Sequence, residues 1–258
     1  MAGRIETDMR NQAIRFICAL GGAFTLAAAV ASAPLAAQGA GSGAKVPDIT
    51  GLWDGAPGGP GTRDLVQYMK SQGQEVPFTP QAAERYKHVD FAKNPNGFCL
   101  PPGPSRALTG PSPFFIVQHP SVISISFENH NIYRLIYLDG RSHPEDIDDY
   151  PSFMGHSIGK WEGNTLVVDT AGINDRTWLD SYGLEHSAKL RITERFEVKG
   201  SDLIRYTVTY NDPEFFTKPW SVSLNLGRLT DTRMLEYVCL DNEKDKSNLV
   251  PTKREEFQ

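Results

Sequence analysis

From Phe114 onward apolar and polar residues alternate with a period of two, as strands do when they bury one face. The alternating runs are Phe114–Gln118, Ser121–Glu128, Asn131–Leu138, His156–Trp161, Asn164–Thr170, Lys189–Lys199, Asp202–Tyr210, Trp220–Leu229 and Arg233–Leu240. Turn-forming pairs such as His119-Pro120, Asn129-His130, Glu162-Gly163 and Gly200-Ser201 separate several of them. Strands this close in sequence pair antiparallel. Eight or nine of them predict an all-β antiparallel meander that closes into an up-and-down barrel or a strongly curled sheet. A β-sandwich is the competing arrangement. Upstream, Ile49–Trp53 begins the ordered chain, and long loops follow. The stretch Thr79–Tyr86 gives one short helix, with Thr79 as N-cap and Pro80 at the first helical position.

Three runs carry a charge on the apolar face. Arg134 stands among Ile132, Ile136 and Leu138; Glu194 among Leu190, Ile192, Phe196 and Val198; Glu236 among Met234, Val238 and Leu240. Burying an unpaired charge costs several kcal/mol, so these residues must pair, line a wet cavity or do chemistry. Placed on a barrel, Arg134, Glu194 and Glu236 converge inside it. One guanidinium can hold both carboxylates, or hold one and leave the other as an acid or base. A purely structural ion pair fits the same pattern.

Two long connections interrupt the meander, Asp139–Gly155 and Ala171–Ala188, and function concentrates in such loops. His143, His156 and His186 lie in or beside them. An imidazole near a carboxylate is the usual general base. The expected catalytic set is therefore His156 and His186 as base and acid, with Asp169 or Glu194 orienting an imidazole. Arg134 stabilises developing negative charge, and Glu236 shares its interior site. Tyr137, Trp161 and Trp178 supply aromatic walls suited to an apolar or aromatic ligand. The same aromatics fit a plain core. No close pair of histidines has metal-ligand spacing, and no dinucleotide or phosphate-cradling Gly motif occurs, so neither metal nor cofactor is expected.

The formal charge of the 258-residue chain is -5, which offers no basic footprint for nucleic acid. Arg10 and Arg15 precede an apolar run, Phe16–Ala33, and small residues follow to Ala37. This is a secretory signal pattern over residues 1–37, with no stable membrane insertion after cleavage. A Gly/Ala/Ser linker occupies residues 38–48, and residues 49–258 form a single barrel-like domain. The expected location is periplasmic or secreted. Two cysteines remain after the leader. In an oxidising compartment Cys99 and Cys239 predict a disulfide between an early loop and the last strand. Two separate buried thiols are the alternative.

The stretch Met154–Thr170, reading MGHSIGKWEGNTLVVDT, resembles a group of secreted, mostly uncharacterised bacterial β-rich proteins. Cys99–Gly103, Ile136–Arg141, His186-Ser187, Glu194–Phe196, Asn211–Pro213 and Thr217–Trp220 share the likeness. The resemblance covers His156, Asp169, His186 and Glu194 and implies no reaction. Gly51-Leu52-Trp53 is similar to the Gly-x-Trp opening of lipocalins, and this resemblance implies that the meander closes into a lipocalin-like barrel. Together these readings predict a barrel that takes a small organic molecule, acting as a cofactor-independent acid/base lyase, dehydratase or isomerase. The competing expectations are a non-catalytic carrier of hydrophobic ligands and a structural envelope protein. Oligomeric state is not legible in the sequence.

Overall fold

The computed structural model describes residues 46–55 and 64–239; the expected signal segment and cleavage site lie outside them. Nine strands close into one barrel in chain order. They are β1 (Gly51–Asp54), β2 (Phe114–His119), β3 (Val122–Phe127), β4 (Ile132–Tyr137), β5 (His156–Glu162), β6 (Thr165–Ala171), β7 (Arg191–Val198), β8 (Leu203–Asn211) and β9 (Trp220–Leu229). The chain is already held at Pro47, inside the expected linker, where its carbonyl accepts from Gln118 Nε2 at 2.9 Å.

The barrel is mixed, and this corrects the wholly antiparallel meander. β4 and β5 run parallel, whereas the other described pairs are antiparallel. Tight turns force a reversal of direction, but the long stretch between β4 and β5 does not. It lets residues 138–155 cross from one end of the barrel to the other, as a parallel pair requires. The resulting seam is short. Only Ile136↔Ser157 and Tyr137↔Ile158 are in register there, while β7 and β8 match from Arg191↔Asn211 to Val198↔Ile204. Two glycines shape the seam. A Cβ on Gly159 would stand 2.8 Å from Ile136 Cγ2, so a side chain there would push β4 away. Gly155, at φ +64°, turns the crossover into β5 in a backbone region that favours glycine.

The connections before β2, after β6 and after β8 gather at one end of the barrel. The first contains α1 (Leu65–Ser71), α2 (Pro80–Lys87) and α3 (Pro104–Thr109). The helix expected at Thr79–Tyr86 is α2, and Thr79 accepts from Ala82 N as its cap. The other two extend the sequence reading. α1 is capped by Asp64, and α3 starts on a proline inside a Pro/Gly-rich stretch that masked it. Leu65, Met69 and Leu108 join Phe114, Phe196, Tyr206 and Leu226 in one core that fills the barrel. Two buried carboxylates fasten the end loops. Asp180 accepts from the backbone N–H groups of Leu65, Tyr182 and Leu184 at 3.1, 2.8 and 3.0 Å. Asp212 accepts from Ser187 N at 2.6 Å and from Ser187 Oγ at 2.9 Å.

The strand expected at Arg233–Leu240 makes no ladder in its described part. Glu236 is exposed and lies outside the barrel, which corrects its expected place beside Arg134. The closing position beside β9 is taken by β1, with Leu52↔Leu229 in register. The segment after β9 instead forms a strap. Leu235 N donates to Glu128 Oε2 at 2.7 Å, and Tyr237 O accepts from Asn131 Nδ2 at 2.6 Å. The strap ends in the disulfide Cys99–Cys239, with Cα atoms 5.8 Å apart. Among the described residues no helix is long and apolar enough to cross a membrane.

A link spanning so long a loop restricts the unfolded chain strongly. Replacing both cysteines by serine should lower stability by about 2–5 kcal/mol. Urea unfolding of the oxidised protein and the double variant, read by Trp fluorescence, checks this; coincident midpoints would refute it.

Candidate functional site

Inward-facing side chains place a polar network across the inner face of the seam. Arg134 on β4 is buried and donates through Nη1 to Glu194 Oε1 on β7 at 2.9 Å. Its Nη2 pairs with Glu194 Oε2 and donates to Thr170 Oγ1 on β6 at 2.7 Å. Its Nε donates to Ser157 Oγ on β5 at 3.0 Å. Tyr206 on β8 donates to Glu194 Oε1 at 2.8 Å. Five consecutive strands are thus joined by one network. Burial works against a charged guanidinium, and the adjoining Glu194 carboxylate outweighs it, holding the Arg134 pKa above its ordinary value. Burial, with Glu194 alongside, also raises Tyr206, so its hydroxyl keeps its proton and donates. The network satisfies both Glu194 oxygens.

A second cluster lies on the outer face of the same seam. Ser157 and Thr170 point inward, so their neighbours His156 and Asp169 point outward. His143, on the crossover, bridges them. Its Nε2 is 3.0 Å from Asp169 Oδ2, and its Nδ1 is 2.9 Å from His156 Nδ1. An ionised Asp169 can only accept, so His143 Nε2 carries the proton and His143 Nδ1 presents a lone pair. That lone pair accepts from His156 Nδ1–H, which leaves His156 Nε2 as the basic end of an Asp–His–His relay. Burial first, then the neighbouring His143 and the Arg141 guanidinium, lowers the His156 pKa below its ordinary value and so favours the neutral ring. Tyr137 stacks on His156 at 5.3 Å between centroids, and the Arg141 guanidinium sits 3.9 Å above the Tyr137 ring.

The sequence-expected residues therefore fall into separate groups. His156 and Asp169 are brought together, with Tyr137 packed on the imidazole. Arg134 and Glu194 are brought together inside the barrel. His186 joins neither group. It is buried in the loop after β6, with Nδ1 2.9 Å from Ser187 O and Nε2 2.7 Å from Thr177 Oγ1. Nδ1 must donate to the carbonyl, so Nε2 accepts from Thr177 and both nitrogens are spent. Trp161 packs against the core, and Trp178 is buried edge-on to Phe91 at 6.4 Å. The sequence named His143 among the loop histidines but gave it no role in the site. Loops have no periodicity to show direction, and the signal available was its position just after Asp139-Gly140-Arg141. Ser157, Thr170 and Tyr206 were legible from strand alternation once Arg134 was placed inside.

No protein-family model matches the chain, and comparison with curated proteins finds no match. The site must be read from its own chemistry.

Among the described residues no cluster of three or more His, Cys, Asp or Glu side chains could hold a metal ion. A cleft of about 240 Å3 adjoins the relay through Asp169, floored by Ile158 and Val167 and flanked by Arg141 and Lys160. A larger cleft, about 480 Å3, lies beside the helical segment against Trp178, Phe98 and Arg176. None of the relay residues lines it, so the smaller cleft is the better candidate.

Two outcomes follow. Arg134→Met leaves Glu194 charged and unpaired in a dry interior and should cost about 3–5 kcal/mol. Arg134→Met combined with Glu194→Leu should recover part of that loss. Denaturant midpoints of the two variants decide, and a single variant as stable as the parent would place Arg134 in water. Burial lowers the pKa of His186 below 6.5. The unfolded chain then binds a proton that the folded chain refuses, so stability is complete above pH 6.5 and falls as pH drops towards the folded pKa. His186→Gln should flatten this acid-side loss. It should not abolish it, because burial also lowers His130 and His156. Urea midpoints compared above and below pH 6.5 test this.

Proposed function

We propose that this protein is a periplasmic or secreted acid/base catalyst, cofactor-independent and of the lyase, dehydratase or isomerase type. It acts on a small organic molecule at the barrel flank. The carrying observation is the relay, with Asp169 3.0 Å from His143 and His143 2.9 Å from His156. His156 Nε2 takes a proton from the substrate. The positive charge that develops is shared through Nδ1–H towards His143 and neutralised by Asp169. A base that is neutral near physiological pH and backed by a carboxylate suits proton abstraction. The same relay returns the proton to the product, so no further group is required for an isomerisation.

The filled interior supports a flank site over a lumenal one. Trp53, Phe114, Phe196, Tyr206 and the Arg134 pair occupy the space that a carrier would give to its ligand. We accordingly assign Arg134 and Glu194 to holding the barrel, and His186 to holding a loop. The disulfide supports the oxidising location.

A nitrobenzisoxazole probe tests the base without knowledge of the natural substrate. Removal of its ring-carbon proton sends the electron pair into a nitrile and breaks the N–O bond, releasing a coloured cyanonitrophenolate. The parent protein should accelerate this opening beyond free imidazole at equal concentration. The rate should rise with pH through a midpoint below 6.5, the direction in which burial shifts His156. His156→Ala should abolish the acceleration and leave the melting temperature nearly unchanged, because that ring is only half-buried. Turnover that survives in His156→Ala, or a parent no faster than imidazole, would overturn the assignment.

A further inference from the structure

The flank cleft also indicates what kind of molecule it receives. The charged residues lining it are Arg141, Lys160 and Asp169. Asp169 spends Oδ2 on His143 Nε2 at 3.0 Å. The two cations are not saturated. Arg141 spends Nε and Nη2 on Asp139, with Nε 2.9 Å from Oδ1, and its Nη1 makes no hydrogen bond to the described residues. Lys160 Nζ contacts Glu162 Oε1 at 2.9 Å, leaving further ammonium hydrogens to donate. Glu162 is shared, since its Oε2 also accepts from Arg195 Nη1 at 3.3 Å. Arg141 and Lys160 thus keep spare cationic donors at the cleft, and Asp169 Oδ1 is its anionic acceptor. Between the two cations the floor is apolar, formed by Ile158 and Val167.

We propose that this cleft binds a small organic carboxylate with an apolar body. The carboxylate lies between Arg141 Nη1 and Lys160 Nζ, and the body rests on Ile158 and Val167. Charge-assisted hydrogen bonds to a guanidinium orient a carboxylate more firmly than a neutral polar group. The side of the ligand nearest Asp169 then faces the relay. The inference rests on the flank reading of the site, and it adds the substrate class: an organic acid whose carboxylate anchors it while His156 acts on a neighbouring C–H bond.

Benzoate, benzamide and benzylammonium probe this by titration into the isotope-labelled, oxidised protein at low salt, followed by amide NMR. Benzoate should shift Gly140 and Gly159 saturably. Benzamide, which has the same shape without the charge, should bind about tenfold or more weakly, a difference of about 1.4 kcal/mol. Benzylammonium should give no saturable shift there. Arg141→Gln combined with Lys160→Gln, both exposed and so expected to fold, should bind benzoate and benzamide alike. Equal binding of benzoate and benzamide by the parent would overturn the proposal, as would benzoate shifts confined to the cleft beside Trp178 or no saturable shift at all. The outcomes separate the two claims. Benzoate preference with no proton abstraction would remove the catalytic reading alone. Proton abstraction with no charge preference would remove the carboxylate alone.

Discussion

The barrel depends on one guanidinium. Every other described junction between strands is antiparallel, but β4 meets β5 through two residue pairs in parallel register. Ladder hydrogen bonds alone give little holding force over so short a contact. Arg134 supplies the rest from inside, reaching Ser157 across the seam, Thr170 one strand further and Glu194 beyond that. The dry surroundings make each of these bonds expensive to leave unmade. The charge is tolerated because its partners are complete. A half-satisfied version of the network would be worse than an apolar core.

The same seam organises both faces of the wall. Alternation along β5 and β6 turns Ser157 and Thr170 inward and His156 and Asp169 outward. The fixed interior therefore sets the spacing of the exterior pair. His143 comes from the crossover that the parallel seam makes necessary. The relay and the break in the meander have a common origin: without a long return to the far end of the barrel, no loop would lie across His156 and Asp169. Sites often form where the order of a sheet changes, and this one lies over a change of strand direction.

Much of this was legible in the sequence. Alternation placed Arg134 and Glu194 inside, because strands in a closed barrel have no choice of face. It failed for Glu236, since alternation states which residues share a face and not whether a neighbouring strand exists. β1 is short, and it was recognised only as the beginning of order, yet it holds the closing position. The parallel seam was hidden for a related reason. Turn residues announce reversals, and a long connection announces nothing about direction. His186 shows the limit for site reasoning. A histidine beside a serine in a loop reads as chemistry, whereas its burial between Thr177 and the Ser187 carbonyl is a property of three-dimensional packing.

The Cys99–Cys239 bond divides the molecule in a way that the strand order does not. It closes a covalent ring from the loop before α3 to the end of the strap, enclosing β2 to β9. β1 lies outside the ring, although it completes the barrel between β2 and β9. Tension applied between the chain ends would therefore peel β1, α1 and α2 from the structure and then meet a ring that cannot lengthen. The protein is mechanically a closed loop with one removable stave.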